Sequence, residues 1–180
     1  MNEKQAAAAY TRERLIEAAL VVLQQQGTQH LTLDMVAKQA GVSKGGLLHH
    51  FPSKDALMEA TARHLYECFN AYVEKHYDAD PTTPGRWLRA YVRASFEPFD
   101  VPFETLVGLF IYGRDSAQLD QLIHDDHALW QERLRSDGVD PVRAAVVRMV
   151  CDQYWTERAV NIEQNIAPEA LQNYLLSMIP

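Results

Sequence analysis

The stretch from Thr32 to Lys54, TLDMVAKQAGVSKGGLLHHFPSK, constrains the fold more than any other part of the chain. It joins two short helical patterns through a single glycine. Leu33, Val36, Ala37 and Ala40 share one helical face. Thr32 stands just before them, where a hydroxyl can accept from the free N–H groups of a first turn. Gly41 follows at the point where a tight interhelical turn needs a residue tolerant of positive φ. Ser43 then caps a second helix running from Lys44 to about His49. The spacing predicts a helix-turn-helix.

The flanking sequence supplies further helices. Leu15, Ala18, Ala19, Val22 and Leu23 predict one from Thr11 to Gln26, ended by Gly27. Ser53 opens a long helix from Lys54 to about Tyr77, whose 24 residues would span about 36 Å. Thr83 and Pro84 are expected to begin the next, through Trp87, Tyr91 and Val92. Pro98 and Pro102 interrupt the chain, and helical patterns resume through Leu106, Leu109 and Phe110, then Leu119, Leu122, Ile123, Trp130 and Leu134. Gly138 stops that run, Asp140 and Pro141 start another, and a last helix begins near Pro168. No alternating strand pattern of useful length occurs, so the fold class is all-α with about nine helices.

No apolar run is long enough for a signal peptide or a membrane span, which predicts a cytoplasmic protein with no membrane partner. Cys68 and Cys151 lie in helical patterns far apart, as small core residues would, with a redox pair as the alternative. His124 to His127, HDDH, has the residue types of a metal site. Neighbours on a helix point in different directions, however, and the expectation is a solvated face and no metal. No Ser, Cys or Lys sits in a nucleophile signature and no glycine-rich phosphate loop is present. The expected role is therefore binding, with no catalytic residue and no cofactor.

Net charge is −7, which argues against general coating of nucleic acid. Its distribution is uneven: residues 1–54 hold six Lys/Arg and four Asp/Glu, +2, and the remainder holds 11 and 20, −9. This fits a DNA-contacting head on an acidic body. So weak a basic head would gain from being present twice per particle.

Residues 11–58 resemble the N-terminal DNA-binding domain of the tetracycline-repressor (TetR) family. The likeness rests on the first helix ending at Gly27, on LTLDMVAKQAGVSKGGLLHHF and on the following PSKDALM. It implies a three-helix helix-turn-helix domain, residues 1–54, joined by the long helix to a ligand-binding and dimerisation domain, residues 55–180. By that resemblance Thr32 and Ser43 start helices near the phosphate backbone. Lys44, Gly45, Gly46 and His49 face the major groove, His50 and Lys54 contact backbone, and Phe51 packs the recognition helix onto the head. Two residues depart from the family pattern: Gly46 stands where many members carry Thr or Ser, and Leu48 where many carry Tyr.

The aromatic set Tyr66, Phe69, Phe96, Phe99, Phe103, Phe110, Trp130 and Trp155 reads either as core or as the lining of a pocket for an apolar or aromatic small molecule. Val146, Val150, Tyr154, Leu171, Tyr174, Leu175 and Met178 form stripes that either finish the protomer's own core or make a two-fold interface. The resemblance favours a four-helix bundle with the partner. The resulting expectation is a ligand-responsive, homodimeric regulator, a repressor on a pseudo-palindromic DNA operator. A helical ligand-binding or interaction protein of the same fold that no longer reads DNA is the alternative.

Overall fold

The computed structural model describes residues 2–97, Thr105, Leu109, 116–159, Ile162 and 165–180. Every regular element among them is a helix: α1 Glu3–His30, α2 Leu33–Ala40, α3 Lys44–His50, α4 Lys54–Ala79, α5 Arg86–Phe96, α6 Ala117–Arg135, α7 Pro141–Ala159 and α8 Pro168–Ser177. Of the interrupted stretch after α5, Thr105 and Leu109 are helical and buried. Pro98, Pro102, Leu106 and Phe110 lie outside the described residues. The chain forms two compact units, one from residues 1–65 and 104–120, the other from 66–103 and 121–180.

In the first unit α1 starts at Glu3, eight residues before the expected start at Thr11. Asn2 accepts from the backbone N–H of Gln5 at 2.9 Å, and the Gln5 side chain accepts from the Asn2 N–H at 3.0 Å. This reciprocal box satisfies two donors at the helix start, so the exposed, alanine-rich segment before Thr11 becomes helical without burying anything. Leu15, Ile16, Ala18, Ala19, Leu20, Val22 and Leu23 form the buried face. Gly27 breaks the helical path at φ 74°, ψ 169°, and helical turns resume to His30. Against α1 packs α2, with Val36, Ala37 and Ala40 buried, and Leu47 of α3 and Leu57, Met58 and Leu65 of α4 are buried in the same unit.

The second unit is built on Phe69, Val73, Leu88, Tyr91, Val92, Trp130, Val147, Cys151, Leu175 and Ile179. Here α5 packs against α7 and α8. Its start differs from the sequence expectation. Thr83–Pro84 is a cis peptide and precedes the helix, whose cap residue is Gly85 at φ 88°. Gly85 has no side chain to accept from the first turn, and Asp137 does so instead. Its two carboxylate oxygens accept from the Trp87 N–H at 2.8 Å and the Leu88 N–H at 2.9 Å. A Cβ at Gly85 would lie 2.3 Å from Ile179 Cγ2, so the close approach also requires glycine. Beside this joint, buried Arg89 donates to Asp80 Oδ2 at 2.8 Å, and Arg93 donates to the same oxygen at 2.9 Å. Burial raises the Asp80 pKa, but hydrogen bonds from Arg89, Thr82 and Arg93 outweigh it and hold the carboxyl well below the usual range.

Candidate nucleic-acid interface and effector site

The turn between α2 and α3 is closed by its own backbone. The N–H of Val42 donates to Ala37 O at 3.0 Å and that of Gly41 to Lys38 O at 3.2 Å. This pairing needs a left-handed residue, and Gly41 sits at φ 66°, ψ 32°. Arg14 of α1 donates to Ala40 O at 2.5 Å and fastens the turn to the first helix. Thr32 Oγ1 accepts from the Met35 N–H and Ser43 Oγ from the Gly46 N–H, so both expected caps form. On α3 Leu47 is buried, and Phe51 just beyond it is buried under the Arg12 guanidinium, 5.0 Å from the ring centroid.

That anchorage fixes which side of α3 faces outward. Lys44, Gly45, Leu48 and His49 are exposed, while Gly46 and His50 are half-buried. A Cβ on Gly45 would meet nothing, whereas one on Gly46 would stand 3.3 Å from Ser43 Oγ. The Lys44 ammonium donates to Asp34 Oδ2 at 2.8 Å, and Lys54 donates to Thr28 O at 3.0 Å. The eight residues expected to meet DNA all fall within the first unit, and Lys44, Gly45 and His49 share the exposed side of α3. Asp34 is the residue that sequence reasoning missed. It stands ten positions from Lys44 and adds a negative charge beside the expected reading surface.

In the second unit the aromatic residues cluster without all being pocket-like. Trp130 is buried, 4.7 Å from Tyr91 between ring centroids. Phe69 meets Tyr91 at 5.7 Å and Trp155 at 4.4 Å, both edge-on, and Trp155 Nε1 donates to Ser95 O. Tyr66 is half-buried with its hydroxyl enclosed. Phe99, Phe103 and Phe110 lie outside the described residues. Phe96 stacks on Tyr154 at 4.3 Å, which engages a tyrosine expected at the dimer contact. Of the other residues expected there, Leu175 belongs to the protomer core. Val150, Leu171 and Met178 pack against that core, and Val146 and Tyr174 are exposed. Cys68 and Cys151 are not in disulfides, and burial raises both pKa values, that of Cys151 to about 12. Among the described residues no three His, Cys, Asp or Glu form a metal site, and no helix is long and apolar enough to cross a membrane.

Two family models match the chain. Residues 15–61 match the one described as bacterial regulatory proteins, tetR family, and residues 85–179 the one described as the tetracyclin repressor-like C-terminal domain. The second spans more than half of the 180 residues. The chain belongs to the TetR family. A curated relative, the HTH-type transcriptional regulator BetI of Paraburkholderia phymatum, is 38% identical over 86 residues, which are 48% of this chain and 44% of the relative. The chain thus spans less than half the length of the curated relatives it matches. A TetR-family member from Streptomyces coelicolor A3 shares the fold with a TM-score of 0.70 at 26% identity, over 94% of this chain and 98% of that one. The multidrug binding protein EbrR complexed with malachite green aligns with a TM-score of 0.66 at 26% identity, over 94% and 98%.

For a TetR-family chain the informative departures are therefore local. The hydroxyl that many members carry at position 46 is absent, and the half-buried Gly46 leaves its place beside the Ser43 cap. On α7, Val142 and Met149 are 71% and 67% exposed and lie on one side with Val146. Sequence reasoning missed both, because the stripe it followed also contained core residues. The period of four that joins Val142 to Val146 was the available signal.

Proposed function

We propose that this chain is a homodimeric, effector-responsive transcriptional repressor whose α3 enters the major groove of a pseudo-palindromic DNA operator. The carrying observation is α3 itself: Leu47 and Phe51 lock its inner side, leaving Lys44, Gly45 and His49 exposed together. Lys44 and His49 supply donors for base edges and phosphates, and the bare backbone at Gly45 permits close approach. Thr32, Ser43, His50 and Lys54 position the head on the backbone, with Gly46 beside the Ser43 cap. Residues 1–54 act as the reading domain and 55–180 as the effector and dimerisation domain.

Dimerisation is supported by exposed apolar side chains on α7 and α8. Val142, Val146 and Met149 on α7 and Tyr174 on α8 are side chains that a lone protomer leaves in water. A partner copy covers them by two-fold symmetry, with Val150, Leu171 and Met178 at the edge of the contact. The effector is a small apolar or aromatic molecule bound near Tyr66, Phe69, Phe96, Trp130 and Trp155. EbrR's complex with an aromatic dye supports that reading. Release follows because the effector binds better to the state whose two heads no longer match the half-sites. The protein works in the cytoplasm.

Selection from a random duplex pool tests the reading. A two-fold symmetric sequence should be enriched by the parent and lost on Met149→Arg, which should also yield monomers by light scattering. Failure to enrich any sequence would favour a ligand-binding protein that no longer reads DNA.

A further inference from the structure

Four helices of the second unit carry a cluster of polar groups beside its aromatic core. From α4, Asn70 donates to Asp126 Oδ1 of α6 at 3.0 Å. From α5, the Tyr91 hydroxyl donates to Asp152 Oδ1 of α7 at 2.5 Å. Arg148, one turn before Asp152, holds its Nε 3.7 Å from Asp152 Oδ2, beyond hydrogen-bonding distance. Its guanidinium also lies 5.9 Å from the Tyr91 ring centroid. Tyr91 belongs to both neighbourhoods, since its ring meets Phe69 and Trp130 while its hydroxyl meets Asp152.

The cluster is incomplete in one specific way. The Tyr66 hydroxyl and the Arg148 Nε and Nη1 are buried with no hydrogen-bond partner among the described residues. A guanidinium has donors and no acceptor, and a tyrosine hydroxyl next to a carboxylate also has a proton to give. Tyr66 lies one turn before Phe69 and Asn70 on α4, the residues that meet Tyr91 and Asp126, and the Arg148 guanidinium stands 5.9 Å from the same Tyr91 ring. Buried donors without acceptors are costly, so this arrangement is suited to receiving an oxygen from outside the chain.

Charge decides what kind of oxygen. Arg148 already faces the Asp152 carboxylate at 3.7 Å, and Asp126 stands in the same cluster, held by Asn70. Burial raises the pKa of Asp126 and of Asp152, partly offset at Asp126 by Asn70, Arg148 and Arg133 and at Asp152 by Tyr91, Arg148 and His127. Arg133 is committed to Asn70 and Glu74. A further anion would set a third negative charge beside the Asp126 and Asp152 carboxylates. A cation would suit the charge but leave the same N–H and O–H groups unmade. An uncharged acceptor completes them and adds no charge.

We propose that Tyr66 and Arg148 form the polar anchor of the effector site, and that the effector is an uncharged, largely apolar molecule presenting a carbonyl-type oxygen. The anchor rests on the reading of the second unit as effector-binding, and it narrows that reading to one chemical class.

Calorimetric titration of the full chain with four phenyl compounds of similar size tests it: acetophenone, benzoate, benzyltrimethylammonium and ethylbenzene. Acetophenone is expected to bind tightest. Tyr66→Phe should lower its affinity about tenfold while leaving ethylbenzene unchanged. The same variant should melt no lower than the parent, because the deleted hydroxyl had no hydrogen-bond partner among the described residues. Tightest binding of the ammonium compound or of benzoate, or equal affinity for all four, overturns the proposed anchor and leaves effector binding standing. Binding of none at millimolar concentration, by protein that melts cooperatively, overturns both.

Discussion

In the first unit the helices on either side of Gly41 take their caps from Thr32 and Ser43, each three residues from the N–H it serves. In the second unit α5 takes its cap from Asp137, fifty positions along the chain from Trp87. The first arrangement is written in adjacent residues and depends little on what lies elsewhere. The second exists only once α5 and the loop after α6 have met. A reading head held by local bonds can keep its shape while the body around an effector changes. The body's distant polar joints are suited to such change, because each depends on several elements staying in register.

The largest expected effect probes the distant joints. Arg89→Leu leaves the Asp80 carboxylate buried with Arg93 as its remaining charged partner, and should cost about 3 kcal/mol in urea unfolding at neutral pH. The sign with pH follows from the depressed Asp80 pKa in the folded parent. Its pairing contributes fully above the unfolded carboxylate pKa, near about 4, and is lost as pH falls through the lower folded value. The gap between parent and variant should therefore narrow in acid, and a gap that stayed constant would argue against the pairing. Next in size, Asp137→Ala removes two capping acceptors from α5 and should cost about 2 kcal/mol. Hydrogen exchange should show that loss first at α5, with the head unaffected.

Smaller effects probe the local joints. At Gly41 a Cβ has room, with Arg14 Nη2 3.6 Å away, so the cost of Gly41→Ala is conformational, about 1–2 kcal/mol. It should appear in melting of the head. Gly45→Ala should do the reverse and stabilise α3 by up to about 1 kcal/mol, because its Cβ would point into open space. If that space is where DNA lies, the stabilised variant binds operator more weakly. A gain in both stability and affinity would show that the backbone at Gly45 does not approach the duplex.

What was legible in the sequence follows the same division. Gly41, Ser43 and the Leu33 to Ala40 face announced α2 and α3 because their partners are within one or two turns. Gly27 announced the break in α1, but the segment before Thr11 was missed, since a capping box needs only Asn2 and Gln5 and no apolar period. The start of α5 was misread for a longer-range reason: Thr83 and Pro84 look like a helix opening until Asp137 is seen to supply the cap. At the reading surface the donors Lys44 and His49 were legible, whereas the ion pair to Asp34 needed the turn between the helices to close. In the body the aromatic residues were legible as types. Which of them are core, and that Tyr66 and Arg148 carry unmet donors, depends on packing among four helices.

The most direct test of the central claim, that the exposed side of α3 reads DNA, is a quantitative gel shift on the gene's own upstream region. The comparison is between the parent and a Lys44→Ala, His49→Ala double variant. Both residues are exposed, so the variant should fold and melt like the parent. Loss of specific binding by about tenfold or more, with the dimer intact, is the predicted result. Undiminished binding would contradict the account.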